Sequence, residues 1–136
     1  MRYLLDTNVL VSAILFPHGT PGRAYDAALT TQADVVVCDY TVAELRDVFH
    51  AKFPDRVESL ERFIKEMRSG IAVVPTPDSV DGVDVERVRD VKDWPIVRAA
   101  VAAGVDAIVT GDKDLLDAGL ARPLMLTPAQ FLHAIN

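Results

Sequence analysis

Residues 1–15 read MRYLLDTNVLVSAIL, and this stretch decides the fold. An apolar run over 3–5 stops at Asp6, and a second apolar run over 9–15 belongs to a predicted helix over 8–15. The first run has the length of a short buried strand, while the second has the length of a helix and ends at the turn-forming segment 16–19. The chain therefore opens with a strand and a helix, and a carboxylate lies directly between them.

The same alternation continues along the rest of the chain. Apolar runs predict further strands over 33–38, 71–74, 107–109 and 123–126. Helical spacing predicts helices over 20–30, 40–52, 57–68, 95–103, 112–117 and 128–135. Residues 75–90 are rich in proline, glycine and acids, and we expect a surface connection there with a helical turn at its end. Apolar strands alternating with helices predict one domain over 1–136, a three-layer α/β/α fold with a parallel five-stranded sheet.

Composition excludes several classes of protein. Half of the 136 residues are hydrophobic, which argues against disorder, yet no apolar stretch reaches the roughly 18 residues of a membrane helix. The N-terminus lacks signal-peptide features, and a single cysteine, Cys38, fits a reducing cytoplasm. The formal net charge of −6 argues against nucleic-acid binding. This objection weakens if the carboxylates cluster around a cation, since the cation changes the local sign of charge.

Several carboxylates follow the ends of predicted strands. Asp6 follows the first strand, Glu44 lies one turn into the helix after the second, and Asp112 follows the fourth. Because the carboxyl ends of parallel strands share one edge, we expect these three side chains to converge. Asp93 precedes the fourth strand and reaches the same edge only if the 75–90 connection crosses back over the sheet, for which it is long enough.

Helix capping is the competing explanation for each acid alone, and it is the more common one. Asp6 and Asp112 precede predicted helices, Thr41 to Glu44 matches the S/T-x-x-E capping box, and Asp93 precedes a Trp-Pro helix start. Capping, however, does not require several helices to begin at one place. Carboxylates gathered at one edge repel each other unless a cation lies among them, so convergence favours a metal site.

A cluster of oxygen ligands predicts a specific chemistry. Such ligands select hard cations, Mg²⁺ or Mn²⁺, which activate water and stabilise the charge that develops on a phosphodiester. Thr7, Asn8 and Thr110 are placed to orient the carboxylates or bound waters. Arg46 and Lys113 are weaker candidates for phosphate contacts, since a solvated surface position is the commoner role of such residues.

Four motifs extend this hypothesis to a family. They are LLDTNVLVSAIL at 4–15, TVAEL at 41–45, RDVKDWPIVRAAVAAGVDAIVTGDKDLL at 89–116 and LMLTPAQFL at 124–132. With these motifs the sequence resembles the PIN domain family, metal-dependent ribonucleases that include the VapC toxins of toxin–antitoxin pairs. By this resemblance the family's acidic quartet falls on Asp6, Glu44, Asp93 and Asp112, the second acid of its closing motif on Asp114, and its small polar positions on Asn8 and Thr110.

The resemblance also implies partners, and it has one departure. It implies a homodimer whose grooves accept single-stranded RNA and, in VapC systems, a separate antitoxin chain that blocks the groove. Relatives carry one more acid and often a proline in the stretch matching 90–93, whereas Trp-Pro follows it here. Asp93 is the best match, but Asp90 is the alternative register.

Three other functions are compatible with a three-layer fold and an acidic pocket. A PIN fold that has lost catalysis would only bind RNA or protein, and the sequence leaves this open. A phosphoacceptor regulatory module needs an acid pair after the first strand and an acceptor aspartate after the third, where this chain has Pro75-Thr76-Pro77. A haloacid-dehalogenase-type phosphatase needs D-x-D after the first strand, where this chain has Asp6-Thr7-Asn8.

Overall fold

The computed structural model describes residues 1–136. The strands are β1 Arg2–Leu5, β2 Asp34–Cys38, β3 Ala72–Val74, β4 Ala107–Val109 and β5 Leu124–Leu126. The helices are α1 Thr7–Leu15, α2 Thr20–Thr30, α3 Asp39–Lys52, α4 Val57–Gly70, α5 Trp94–Ala102, α6 Lys113–Leu116 and α7 Pro128–Ile135. Short 3₁₀ turns lie at Pro54–Arg56, Val85–Arg87 and Val91–Asp93. The predicted boundaries differ from these by no more than two residues.

All five strands are parallel, in the order β3-β2-β1-β4-β5. Leu4 of β1 pairs with Val36 on one side and Ile108 on the other, so β1 is the central strand. Separate clusters of buried apolar residues cover the two faces of the sheet, which confirms the predicted three-layer fold. The chain winds outward from β1 to β3 and then returns to β4, so the strand order reverses between β1 and β4.

The connection after β3 crosses the sheet, which is the condition for Asp93 to reach the edge where Asp6 lies. α5 packs on one face through Ile96 and Val97, in the same buried cluster as Leu4. The hydroxyl of Tyr40, at the start of α3, donates to the carbonyl oxygen of Lys92 at 3.1 Å. Since α3 begins directly after β2, this bond brings the start of α5 to the carboxyl edge of the sheet.

The turn between α1 and α2 depends on a glycine that the sequence analysis did not single out. A Cβ atom on Gly22 would lie 2.3 Å from the carbonyl oxygen of Pro17, so a side chain cannot fit without moving backbone. α2 has Gly19 as its N-cap residue, with no side-chain capping bond. This close approach allows α2 to pack against α1. None of the helices is both long enough and apolar enough to span a membrane.

Candidate active site

Asp6 lies at the point where the strand order reverses. Its backbone N–H donates to the carbonyl oxygen of Val109 at 2.9 Å, which continues the pairing of β1 with β4. Its Oδ1 accepts from the backbone N–H of Thr7 at 2.7 Å and so caps α1, while its Oδ2 accepts from the hydroxyl of Thr110 at 2.8 Å. Only 3% of Asp6 is exposed. Both the capping interpretation and the placement at the sheet edge therefore hold for this residue.

Burial makes the negative charge of Asp6 unfavourable. Desolvation raises the pKa of Asp6 to about 6, although the hydrogen bonds from Thr110 and Thr7 oppose this rise. The nearby charges of Glu44 and Asp112 raise the pKa further. A bound cation would remove this penalty because it favours the ionised form.

Thr110 joins two of the predicted carboxylates. Besides donating to Asp6, its hydroxyl oxygen accepts from the backbone N–H of Asp112 at 2.9 Å. Asp112 in turn caps α6, because its Oδ1 accepts from the backbone N–H of Asp114 at 2.8 Å. Asn8 is tied to the same loop more weakly, with its Oδ1 accepting from the N–H of Gly111 at 3.4 Å. The completely buried Thr110 thus positions the Asp112 loop beside Asp6.

The capping alternative is wrong for Glu44. The N-cap residue of α3 is Cys38, earlier than the capping box requires, and it makes no side-chain capping bond. The hydroxyl of Thr41 instead accepts from that of Thr7 at 3.0 Å. The hydroxyl of Tyr40 lies near Glu44, and burial together with the charges of Glu44 and Asp93 raises the pKa of Tyr40 to about 12.

The capping alternative also fails for Asp93. It is the N-cap residue of α5, yet its side chain makes no capping hydrogen bond. Its Oδ2 is buried and has no hydrogen-bond donor. Desolvation, the close carboxyl group of Asp112 and the charge of Asp6 raise the pKa of Asp93 well above its ordinary value. A buried carboxylate oxygen without a donor is costly, and a cation would satisfy it.

A cavity of about 300 Å³ brings these acids together at the carboxyl edge of the sheet. Its polar lining comprises Asp6, Thr7, Asn8, Ser12, Glu44, Asp90, Lys92, Asp93 and Asp112. Carboxylates from four separate segments of the chain therefore share one cavity. The donor set is entirely oxygen, which fits a hard divalent cation such as Mg²⁺ or Mn²⁺.

Asp90 and Asp114 lie beside this group. One carboxylate oxygen from each of Asp90, Asp93 and Asp114 lies within 4.8 Å of the others. Asp90 caps its own 3₁₀ turn, with Oδ1 accepting from the N–H of Lys92 at 3.0 Å. Asp114 forms a long ion pair of 3.9 Å with Arg89. Asp90 and Asp93, the two alternative matches to the family's acid, thus both reach the site, but Asp93 carries the buried oxygen that has no hydrogen-bond partner.

The basic residues are arranged differently from the prediction. Arg46 forms two hydrogen bonds with Glu61, at 3.1 and 2.9 Å, and does not line the cavity. Lys113 is exposed and also lies outside the lining. Lys92, which the sequence analysis overlooked, does line it. Its position in the sequence could have indicated this, because Lys92 lies between Asp90 and Asp93 in one short turn, and both of these acids were candidates for the site.

Comparison with known proteins gives a family and a fold. A family model described as "PIN domain" matches residues 2–114. No curated protein matches the sequence. A chain in the structure of VapBC2 from Rickettsia felis bound to a promoter DNA fragment superposes with a TM-score of 0.70 at 15% identity, covering 93% of this chain and 98% of that one.

Two further solved structures are similar. PAE2754 from Pyrobaculum aerophilum has a TM-score of 0.70 at 20% identity, covering 99% of this chain and 89% of that one. A chain of VapBC-1 from nontypeable Haemophilus influenzae has a TM-score of 0.65 at 14% identity, covering 95% and 99%. At these identities the structural likeness concerns the fold. The family model spans well over half of the sequence, and the chain therefore belongs to the PIN domain family.

Proposed function

We propose that this chain is a metal-dependent endoribonuclease that hydrolyses phosphodiester bonds of single-stranded RNA. The observation that carries the proposal is the buried, donor-free Oδ2 of Asp93 in a cavity shared with Asp6, Glu44 and Asp112. An aspartate that only capped α5 would bond to the helix start, and Asp93 does not. A divalent cation held by these acids would activate water and stabilise the charge that grows on the phosphate.

The chain's own residues have distinct roles in this proposal. The metal ligands and catalytic residues are Asp6, Glu44, Asp93 and Asp112, with Asp114 as a further acid close to the metal and Mg²⁺ or Mn²⁺ as the cation. Thr110 holds Asp6, at the end of β1, beside Asp112, which follows β4. Thr7 and Asn8 support the same edge of the sheet. Lys92 is the basic residue best placed to attract the RNA backbone.

The family and its structural neighbours support a proposal about partners. Two of the similar structures carry the name VapBC, and VapC toxins are PIN-domain members of toxin–antitoxin pairs. We propose that this chain is likewise the toxin of a type II pair, that it forms a homodimer, and that a cognate antitoxin blocks its groove. The net charge of −6 accords with a protein whose contact with RNA depends on a bound cation.

Cleavage of a mixed single-stranded RNA tests the enzymatic proposal. Pure protein should cut the RNA with Mn²⁺ or Mg²⁺ and should be inactive in EDTA. Asp6→Asn and Asp93→Asn should each abolish cutting, because each removes a proposed ligand. Asp55→Asn, which changes an exposed carboxylate outside the cavity, is the matched control and should cut like the wild type.

The other outcomes point to the alternatives. Absence of cutting with retained Mn²⁺ binding and RNA binding would point to a narrow substrate, a bound inhibitor or a catalytically silent PIN fold that only binds its partners. Absence of both cutting and metal binding would overturn the proposal. Formation of an acyl phosphate on a single aspartate would instead support a phosphoacceptor domain.

A further inference from the structure

A second cavity adjoins the acidic one and has a different character. It measures about 150 Å³ and is lined by Asn8, Val9, Ser12, Pro21, Gly111 and Pro128. Asn8 and Ser12 also line the acidic cavity, so these two residues form the boundary between the two spaces. They lie four residues apart on α1 and therefore occupy the same face of that helix. We call the smaller cavity the neutral slot.

We propose that the neutral slot binds the base of a nucleotide that flanks the scissile phosphate, and thereby gives the chain its sequence preference. This inference rests on the proposed ribonuclease function. A nucleotide whose phosphate lies at the acids would have to place its sugar and base in an adjoining space. The neutral slot shares its boundary with the acidic cavity at Asn8 and Ser12, so a ligand can extend from one to the other.

The charge of the lining favours a base over a second phosphate. No lysine, arginine, aspartate or glutamate lines the neutral slot, whereas Lys92 and five carboxylates line the acidic cavity. Lysine and arginine supply the electrostatic attraction that holds the phosphates of a nucleic-acid backbone, and the neutral slot contains neither residue. An uncharged slot that offers hydrogen bonds suits the one part of a nucleotide that is flat and neutral.

The side chains of the neutral slot supply both kinds of contact that a base requires. Pro21 and Pro128 contribute apolar ring surfaces, which would pack on the faces of a base and hold its edge against Asn8 and Ser12. Both prolines occupy first-turn positions of their helices, where a backbone N–H is not needed. The Ser12 hydroxyl and the Asn8 amide N–H groups have no hydrogen-bond partner in the protein, so they are free to read a base edge.

Variants of the two prolines test the neutral slot without touching the acids. Pro21→Ala and Pro128→Ala remove one apolar wall each, while Pro54→Ala changes an exposed helix-turn proline that lines neither cavity. Each protein would digest a pool of single-stranded RNA with randomised positions in Mn²⁺, and sequencing would map the cut ends. Comparison of the melting temperatures of all variants with that of the wild type would show whether the loss of a proline weakens the fold.

The result expected is a base preference at one position beside the cut. That preference should fall about fivefold or more in Pro21→Ala and Pro128→Ala and should be unchanged in Pro54→Ala. Equal use of all four bases by the wild type, or the same preference in all four proteins, would overturn the inference even though RNA is cut.

A binding experiment decides the matter if the wild type does not cut RNA. The four nucleoside 5′-monophosphates would be titrated into each protein in the presence of Mn²⁺. Affinities that differ about fivefold among bases, with the difference lost in Pro21→Ala and Pro128→Ala, would support the neutral slot in a catalytically silent chain. Equal affinities for the four nucleotides would overturn it. Failure of the enzymatic proposal and failure of the slot thus give different results.

Discussion

Replacing Asp6 by asparagine should stabilise the metal-free protein at neutral pH, although it removes a proposed metal ligand. Burial raises the pKa of Asp6 from 3.8 to about 6, so the folded state binds the proton more tightly than the unfolded chain does. The stabilisation from this group is therefore complete below pH 3.8 and is lost as the pH rises through about 6. The difference between the two pKa values corresponds to about 3 kcal/mol of lost stability at about pH 7.5.

The variant keeps most of the local contacts. The asparagine Oδ1 can still accept from the N–H of Thr7, and its amide can donate to the hydroxyl oxygen of Thr110. The second amide N–H of the asparagine is buried without a partner, which costs about 1 kcal/mol. We therefore expect Asp6→Asn to be about 2 kcal/mol more stable than the wild type near pH 7.5 and to lose that advantage near pH 4.5.

Urea unfolding in EDTA, followed by circular dichroism at both pH values, measures this difference. Asp55→Asn, which changes an exposed carboxylate outside the cavity lining, serves as the control and should have the same stability as the wild type. Addition of Mg²⁺ should stabilise the wild type and not the Asp6 variant, because the cation compensates the buried charge. If the free energies of unfolding of the wild type and Asp6→Asn differed by the same amount at both pH values, Asp6 would not be ionised against a desolvation penalty and the reasoning would be refuted.

Three further predictions follow from single contacts. Thr110→Val keeps the shape of a fully buried residue but deprives Asp6 of its hydroxyl donor, and should lower the free energy of unfolding by about 2 kcal/mol in urea titrations. Gly22→Ala should destabilise the protein by about 1–3 kcal/mol, because the new Cβ would overlap the backbone of Pro17. Alanine usually stabilises a helix relative to glycine, so a higher melting temperature of the variant would contradict this. Lys92→Ala should lower the affinity for RNA, and the dependence of that affinity on salt, more than Arg46→Ala does, because Arg46 is engaged by Glu61. A larger effect of Arg46→Ala in filter binding would instead support Arg46 as a phosphate contact.

Much of the site was predictable because it follows from where the strands end. Asp6 and Asp112 occupy positions directly after β1 and after the loop that leaves β4, and parallel neighbours in a sheet place such positions side by side. The placement of Asp93 depended on the connection over 75–90, whose crossing no local pattern specified. The sequence left Asp90 and Asp93 as alternatives, and only the packed turn shows that both reach the cavity.

Other features were hidden from local reasoning. The capping box at Thr41 and Glu44 is a valid local motif, yet α3 begins earlier and Thr41 bonds to Thr7 from a different segment. Arg46 appeared free in the sequence because its partner, Glu61, lies on the next helix. In each case a contact between distant segments replaced the interaction that the neighbouring residues suggested.

The sequence by itself determined the succession of strands and helices along the chain, because apolar periodicity and turn residues act over a few neighbouring positions. It also determined which residues could supply oxygen ligands and where they stand relative to strand ends. Only the tertiary structure decided that Asp93 joins the other acids with one oxygen unsatisfied, that Lys92 rather than Arg46 lines their cavity, and that a neutral slot lies beside it. The reason is physical, since burial, desolvation and cavity shape arise from packing among segments that are far apart in the chain.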